Sequence, residues 1–231
     1  SCLRYSVNAD EMSKCYFRMS KLVLFGVSGI VAICSGIHLF YFLRKILYTR
    51  RLKNQMATEK KPVNMVLFFR DTGGGCGRHL YRKELCYNMD CPFRKLRFIM
   101  DTLGGCRKSL DICIHLLTSI EIANCLIDAH DRGVTVRVIC DNEMSTNKGS
   151  QIRNLSAAGI AVKIPLLNYH MHSKFAIIDG WKLMTGSANW TVQGIYGNWD
   201  NLLVTSQPDI VRESVVTFDR MWSNPKIQMF S

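Results

Sequence analysis

Acidic residues are scarce where this 231-residue chain begins. Residues 1–61 carry 11 Lys and Arg against 3 Asp and Glu, and residues 62–97 carry 7 against 3. Residues 98–231 balance at 12 against 12, so the net charge of +12 belongs to the first 97 positions. That distribution excludes a uniformly basic surface and points to anionic surroundings at one end of the chain. Lipid headgroups suit the first block. The second block suits either a guided polyanion or a solvated basic face. Also missing is the cysteine spacing of a compact disulfide-stapled module. The ten cysteines are scattered, and Cys34, Cys113 and Cys140 lie in apolar runs, as small buried hydrophobes do in a reducing compartment. No internal repeat is visible. Apolar residues make up 48% of the chain, which excludes global disorder and predicts a packed core.

Long apolar runs are absent except at residues 22–43, LVLFGVSGIVAICSGIHLFYFL. About 20 helical residues span a bilayer core, so this stretch predicts a transmembrane anchor, with residues 1–21 as its N-terminal flank. The run is too long for a signal-peptide core, and no small-residue cleavage site follows it. Arg44, Lys45, Arg50, Arg51 and Lys53 form the heavier basic flank, which places the large domain in the cytosol. Residues 44–63 read as a basic linker and 64–231 as the catalytic domain, with a Cys-containing insert at 72–92.

Within that domain, strands and helices alternate. Strands are predicted at 64–69, 111–117, 134–140, 160–164, 172–178, 182–185 and 201–205, and helices at 93–106, 121–132, 149–158 and 209–222. Gly133 and Gly159 each close a helix ahead of a β-branched strand. The alternation predicts an α/β sandwich with helices on both faces of a mixed sheet.

The stretch HSKFAIIDGWKLMTGSANW, from His172, concentrates the chemistry. On a strand, His172 and Lys174 project from one face, and Asp179 falls on the other at the strand's end. A turn at Gly180 returns a neighbouring strand bearing Gly186, Ser187 and Asn189. An imidazole, an ammonium, a hydroxyl and an amide can then converge. Imidazole is a competent nucleophile near neutral pH. Lys174, Ser187 and Asn189 supply charge and donors to phosphoryl oxygens, and no metal is required.

The pattern His172-x-Lys174-x4-Asp179-x6-Gly186-Ser187-x-Asn189 resembles the HKD motif of the phospholipase D superfamily at every spacing. The resemblance implies catalysis by His172, Lys174, Asp179 and Asn189 through a phosphohistidine. It also implies a downstream acid that holds the histidine Nδ1–H, here Asp200. The superfamily uses two such motifs, but His38, His79, His115 and His130 have no lysine two residues on. One chain therefore carries half a site, which implies a homodimer sharing its active site across a two-fold axis.

The anchor, the single half-site and the segments around Val136–Asp141 and Asn147–Ile152 are similar to the mitochondrial branch that includes the Zucchini endonucleases. That similarity implies the mitochondrial outer membrane, a catalytic domain in the cytosol and a role in making piwi-interacting RNAs. It implies two substrate classes, single-stranded RNA and cardiolipin, the latter cut to phosphatidic acid. A membrane scaffold with weak catalysis is the reading of another class, which the intact motif disfavours. The family also carries a zinc site of three Cys and one His. Cys76, Cys86 and Cys91 are available, with His79 as the fourth candidate, though the spacing departs from the family pattern. A structural zinc and unligated loop cysteines are both open at this point.

Overall fold

The computed structural model describes Leu43, residues 62–70, 76, 79, 86, 88, 90–166 and 170–230. The anchor predicted at 22–43 lies, except for Leu43, outside the described residues, as do the flank at 1–21 and most of the linker. The chain divides into two units, Ser1–Lys60 and Lys61–Ser231, and the second carries everything that follows. No helix among the described residues is long and apolar enough to cross a membrane.

Eight strands form one sheet in the order β1-β7-β6-β5-β2-β3-β4-β8. They are β1 (Asn64–Phe69), β2 (Ser109–Ile114), β3 (Thr135–Cys140), β4 (Ala161–Pro165), β5 (Phe175–Ile178), β6 (Lys182–Gly186), β7 (Asp200–Thr205) and β8 (Ile227–Met229). The helices are α1 (Pro92–Gly104), α2 (Ile120–Asp131), α3 (Asn142–Ser145), α4 (Ile152–Ala157), α5 (Val192–Tyr196) and α6 (Pro208–Trp222). β2, β3 and β4 are parallel, as helical crossovers require, and every other pairing is antiparallel.

Strand periodicity divides the core in two. Leu110, Ile112 and Ile114 of β2 join Ala176 and Ile178 of β5 in a cluster with Leu96, Ile99, Leu126 and Ile152 from α1, α2 and α4. Cys113, Ile139 and Ile177 point the other way, toward Val211 and Phe218 of α6. Helices therefore cover both faces, as the alternation predicts. Gly133 and Gly159 sit at φ 86° and 88°, the left-handed backbone that only glycine adopts without strain. Burial pushes the Cys106 and Cys140 thiols up to about 12, in keeping with their role as packing groups.

Besides shifted ends, with β2 stopping at Ile114 rather than 117 and α4 starting at Ile152 rather than 149, the structure differs from expectation in three places. β5 begins at Phe175, so His172 and Lys174 lie in the segment that enters the strand. In that segment the Met171 N–H is taken by the Asp141 carboxylate, at 2.9 Å, while the Lys174 carbonyl still accepts from the Gly186 N–H. The short α3 and α5 were not expected, being less than two turns each and held by the caps Asp141 and Thr191. β8, three residues closing the edge of β4, carries no alternation that would reveal it.

Candidate active site

Lys174 is the best-buried charged group of the motif, 7% exposed. Its Nζ donates to the His172 carbonyl at 2.8 Å and lies 3.2 Å from Nδ1 and 3.5 Å from Nε2 of the same imidazole. Burial holds this ammonium below its ordinary range, with the Asp200 carboxylate opposing the shift. The Lys174 carbonyl accepts from the Gly186 N–H at 3.2 Å and from the Thr185 hydroxyl at 3.2 Å. The turn of the β5–β6 hairpin therefore brings the chain that enters Ser187 back beside Lys174.

Ser187 donates to Asp200 Oδ1 at 2.6 Å and accepts from the Asn201 N–H at 3.1 Å. Asn189 is held by its neighbour. Trp190 is 2% exposed, its N–H donates to the Leu116 carbonyl, and its own carbonyl accepts from Thr118 and Ser119. The Asn189 Oδ1 is buried without a hydrogen-bond partner among the described residues.

Two predicted roles need correction. Asp200 was expected to hold the His172 ring, but its carboxylate is engaged by Ser187. The side chain is short, and its strand position in β7 aims it at the β6 end. Asp179 was expected among the catalytic groups. It sits at the far end of β5, at φ 53°, where its carboxylate accepts from the backbone N–H groups of Arg107, Lys108 and Ser109 at 2.6–3.1 Å. It ties the loop before β2 to the β5–β6 turn. Asp179→Ala should therefore destabilise the fold by about 2–4 kcal/mol, since charge-assisted bonds contribute roughly 1.5–3 kcal/mol each and water replaces part of them. The kcat of the folded fraction should stay within about twofold; chemical denaturation beside a kinetic assay checks both.

Three residues near His172 escape motif reading. His115 follows β2 and lies with its ring centroid 4.6 Å from that of His172. Asp141 follows β3, and its Oδ2 is 3.8 Å from His115 Nδ1 and 3.4 Å from His170 Nδ1. The available signal was position: polar residues just beyond the carboxyl ends of parallel strands line ligand sites in open α/β sheets.

A cleft of about 560 Å³ runs from Ser187 and Asp200 past Phe68 and Trp199 to the Arg70–Asp90 ion pair. Phe68 is 62% and Trp199 79% exposed. Beside it, the ligand atoms of Cys76, His79, Cys86 and Cys91 lie within 4.8 Å of one another, with Cys91 Sγ 3.5 Å from His79 Nδ1. Tetrahedral zinc, with bonds of about 2.3 Å to sulfur and 2.0–2.1 Å to nitrogen, sets ligand atoms roughly 3.5–4 Å apart. The four residues fit that group.

Residues 99–222 match the family described as "Cardiolipin synthase, PLD-like domain". The chain is 34% identical over 200 residues to the mitochondrial cardiolipin hydrolase of Danio rerio, covering 84% of each. It is 30% identical over 208 residues to the Drosophila melanogaster protein of that name, covering 77% of this chain and 81% of that one. Among solved structures, NucT from Helicobacter pylori superposes with a TM-score of 0.59 at 23% identity, over 74% of this chain and 100% of that one. That likeness shows the fold. Family match and fold together identify the chain as a member of the mitochondrial branch of the phospholipase D superfamily and a hydrolase of phosphodiester bonds.

Proposed function

We propose that the protein is a single-strand-selective RNA endonuclease of piwi-interacting RNA production. It works as a homodimer anchored in the mitochondrial outer membrane by residues 22–43. The observation that carries this reading is the imidazole–ammonium pair of His172 and Lys174, with the Lys174 carbonyl hydrogen-bonded to Gly186, next to Ser187, and Ser187 lining a cleft walled by exposed aromatics.

In the proposed reaction, His172 attacks phosphorus, a nitrogen–phosphorus bond forms, and the bond to the 3′ oxygen breaks. The partner's His172 gives that oxygen its proton. Water then displaces the histidine, giving its proton to the now neutral His172 of the partner subunit, which returns the free imidazole and leaves a 5′-phosphate and a 3′-hydroxyl. Lys174 and Asn189 neutralise the charge that builds on the equatorial oxygens. Single-stranded DNA should be cut as well, because the ribose 2′-hydroxyl takes no part. Asp200 acts by accepting a hydrogen bond from the Ser187 hydroxyl, which fixes the end of β6 against the start of β7 beside the cleft. The chemistry uses no metal ion.

Trp199 and Phe68 offer stacking faces to bases that flank the scissile phosphate, at about 1–3 kcal/mol per base. Trp199→Ala should raise KM for single-stranded RNA about tenfold and leave turnover of bis(p-nitrophenyl) phosphate unchanged. Equal losses on both substrates would remove the stacking role.

Cardiolipin hydrolysis is the second reading, favoured by the name the curated relatives carry. Labelled single-stranded RNA and cardiolipin vesicles, offered in parallel to the purified protein and to His172→Ala, decide between the two. RNA cleavage that survives in the variant, or cleavage of vesicles alone, rejects the endonuclease.

Cys76, His79, Cys86 and Cys91 would hold a structural zinc, clamping the loop that carries Asp90 at the cleft mouth. Atomic absorption should find about one zinc per chain, and Cys91→Ser should lose most of it and melt earlier. Parental zinc content in that variant would exclude Cys91 as a ligand.

A further inference from the structure

His172 needs its ring held in one plane for in-line attack, because the terminal torsion of a histidine is broad and roughly two-fold. The obvious holders do not serve. Lys174 Nζ is nearly equidistant from the two ring nitrogens, at 3.2 and 3.5 Å, so it does not select one. Asp200 is bonded to Ser187. His172 itself is exposed, in a segment with no strand pairing of its own.

Behind it stands a set of groups that the hydrolytic scheme leaves unused. The Asp141 side chain is 3% exposed. Its Oδ1 accepts from the Met144 N–H at 3.1 Å, which caps α3, and its Oδ2 accepts from the Met171 N–H at 2.9 Å. Asp141 thus grips the chain one residue before the nucleophile. Against the same Oδ2 lies the Nδ1 of His115, 3.8 Å away and buried without a hydrogen-bond partner among the described residues. The His115 ring packs on His172 at 4.6 Å, tilted by 51°. His170 closes the group from the solvent side, 63% exposed, with its Nδ1 3.4 Å from Asp141 and its ring 6.1 Å from His115. Burial holds the His115 imidazole below its ordinary value. The Asp141 charge and a backbone hydrogen bond to Met171 oppose the shift, and His172 and Lys174 add to it. His115 is therefore a neutral ring at neutral pH, able to lie against a nucleophile without repelling it.

We propose that His115, seated on Asp141, is a positioning residue that sets the plane of the His172 imidazole. His115 follows β2, Asp141 follows β3, and His172 precedes β5, so the wall is built at the ends of three adjacent strands at the centre of the sheet. The inference rests on the reading of His172 as the nucleophile.

The test measures kcat and KM for bis(p-nitrophenyl) phosphate, a substrate that needs neither the RNA cleft nor a lipid surface, well below each variant's melting temperature. His115→Ala should lower kcat about 10- to 100-fold, the cost of a nucleophile misplaced by around 1 Å, with KM within about twofold. His115→Phe, which restores a planar wall of similar size, should recover kcat to within about threefold of the parent. If the alanine variant does not fold, His115→Leu fills the space without a planar ring and takes its place. A folded alanine or leucine variant with kcat within twofold of the parent overturns the inference, and so does a phenylalanine variant as slow as either. His172→Ala is measured alongside. Full activity there would sink the nucleophile assignment, whereas an inactive His172→Ala beside a fully active His115→Ala would sink only the positioning role.

Discussion

His172→Ala should reduce phosphodiester cleavage by at least about 10⁴-fold, because loss of a covalent nucleophile leaves only binding and electrostatic assistance. The larger consequence concerns stoichiometry. If each active site takes one imidazole from each protomer, a mixed dimer is dead. After subunit exchange with a ninefold excess of His172→Ala, a fixed amount of parent protein should retain about a tenth of its activity, since few parent chains then meet another parent chain. Independent sites would leave activity unchanged at every ratio. A titration of variant into parent, with exchange followed by two differently labelled chains, measures this. A flat response would refute the shared site while leaving the chemistry of His172 standing.

Gly186→Ala should be the most damaging single methyl in the motif. A Cβ at this position would meet the Asn201 carbonyl oxygen and carbon, and the Leu202 Cα at 2.9 Å. All of these are backbone atoms of β7, which pairs with β6 at Gly186↔Leu202. Backbone in the middle of a sheet cannot rotate aside, so the strands must separate. Overpacking without such relief costs typically 1–3 kcal/mol and more where backbone must move. An expected loss of about 3 kcal/mol corresponds to a melting temperature roughly 6–12 °C lower for a domain of this size. Activity should fall with it, because the displaced ends carry Ser187 and Asp200, joined at 2.6 Å. Calorimetry of the variant decides: a melting temperature within about 2 °C of the parent would mean the hairpin accommodates the methyl.

These expectations differ in how far they could be drawn from the letters of the chain. Most strands and helices of the domain were legible because their apolar residues recur with periods of two and 3.6, and glycines such as Gly133 punctuate them. The pairing of His172 with Lys174, and the return of the chain to Ser187 by a hairpin, followed from spacing across one turn. Local patterns of this kind depend on residues close in sequence. Even so, the two lead residues proved to precede β5, in a segment whose Met171 N–H is held by Asp141, 30 positions away. Asp179 and Asp200 were legible as motif members but not as to partner. Asp179 bonds backbone some 70 residues upstream, and Asp200 turns to Ser187.

The sequence by itself determined the reaction class and the α/β architecture, because each is written in the identity and spacing of neighbouring residues. Only the tertiary structure decided that His115 and Asp141 stand behind His172 and that Trp199 and Phe68 wall a cleft beside Ser187. Those juxtapositions come from the order in which strands lie in the sheet. Sheet order joins residues 20 to 130 positions apart, and no local periodicity records it.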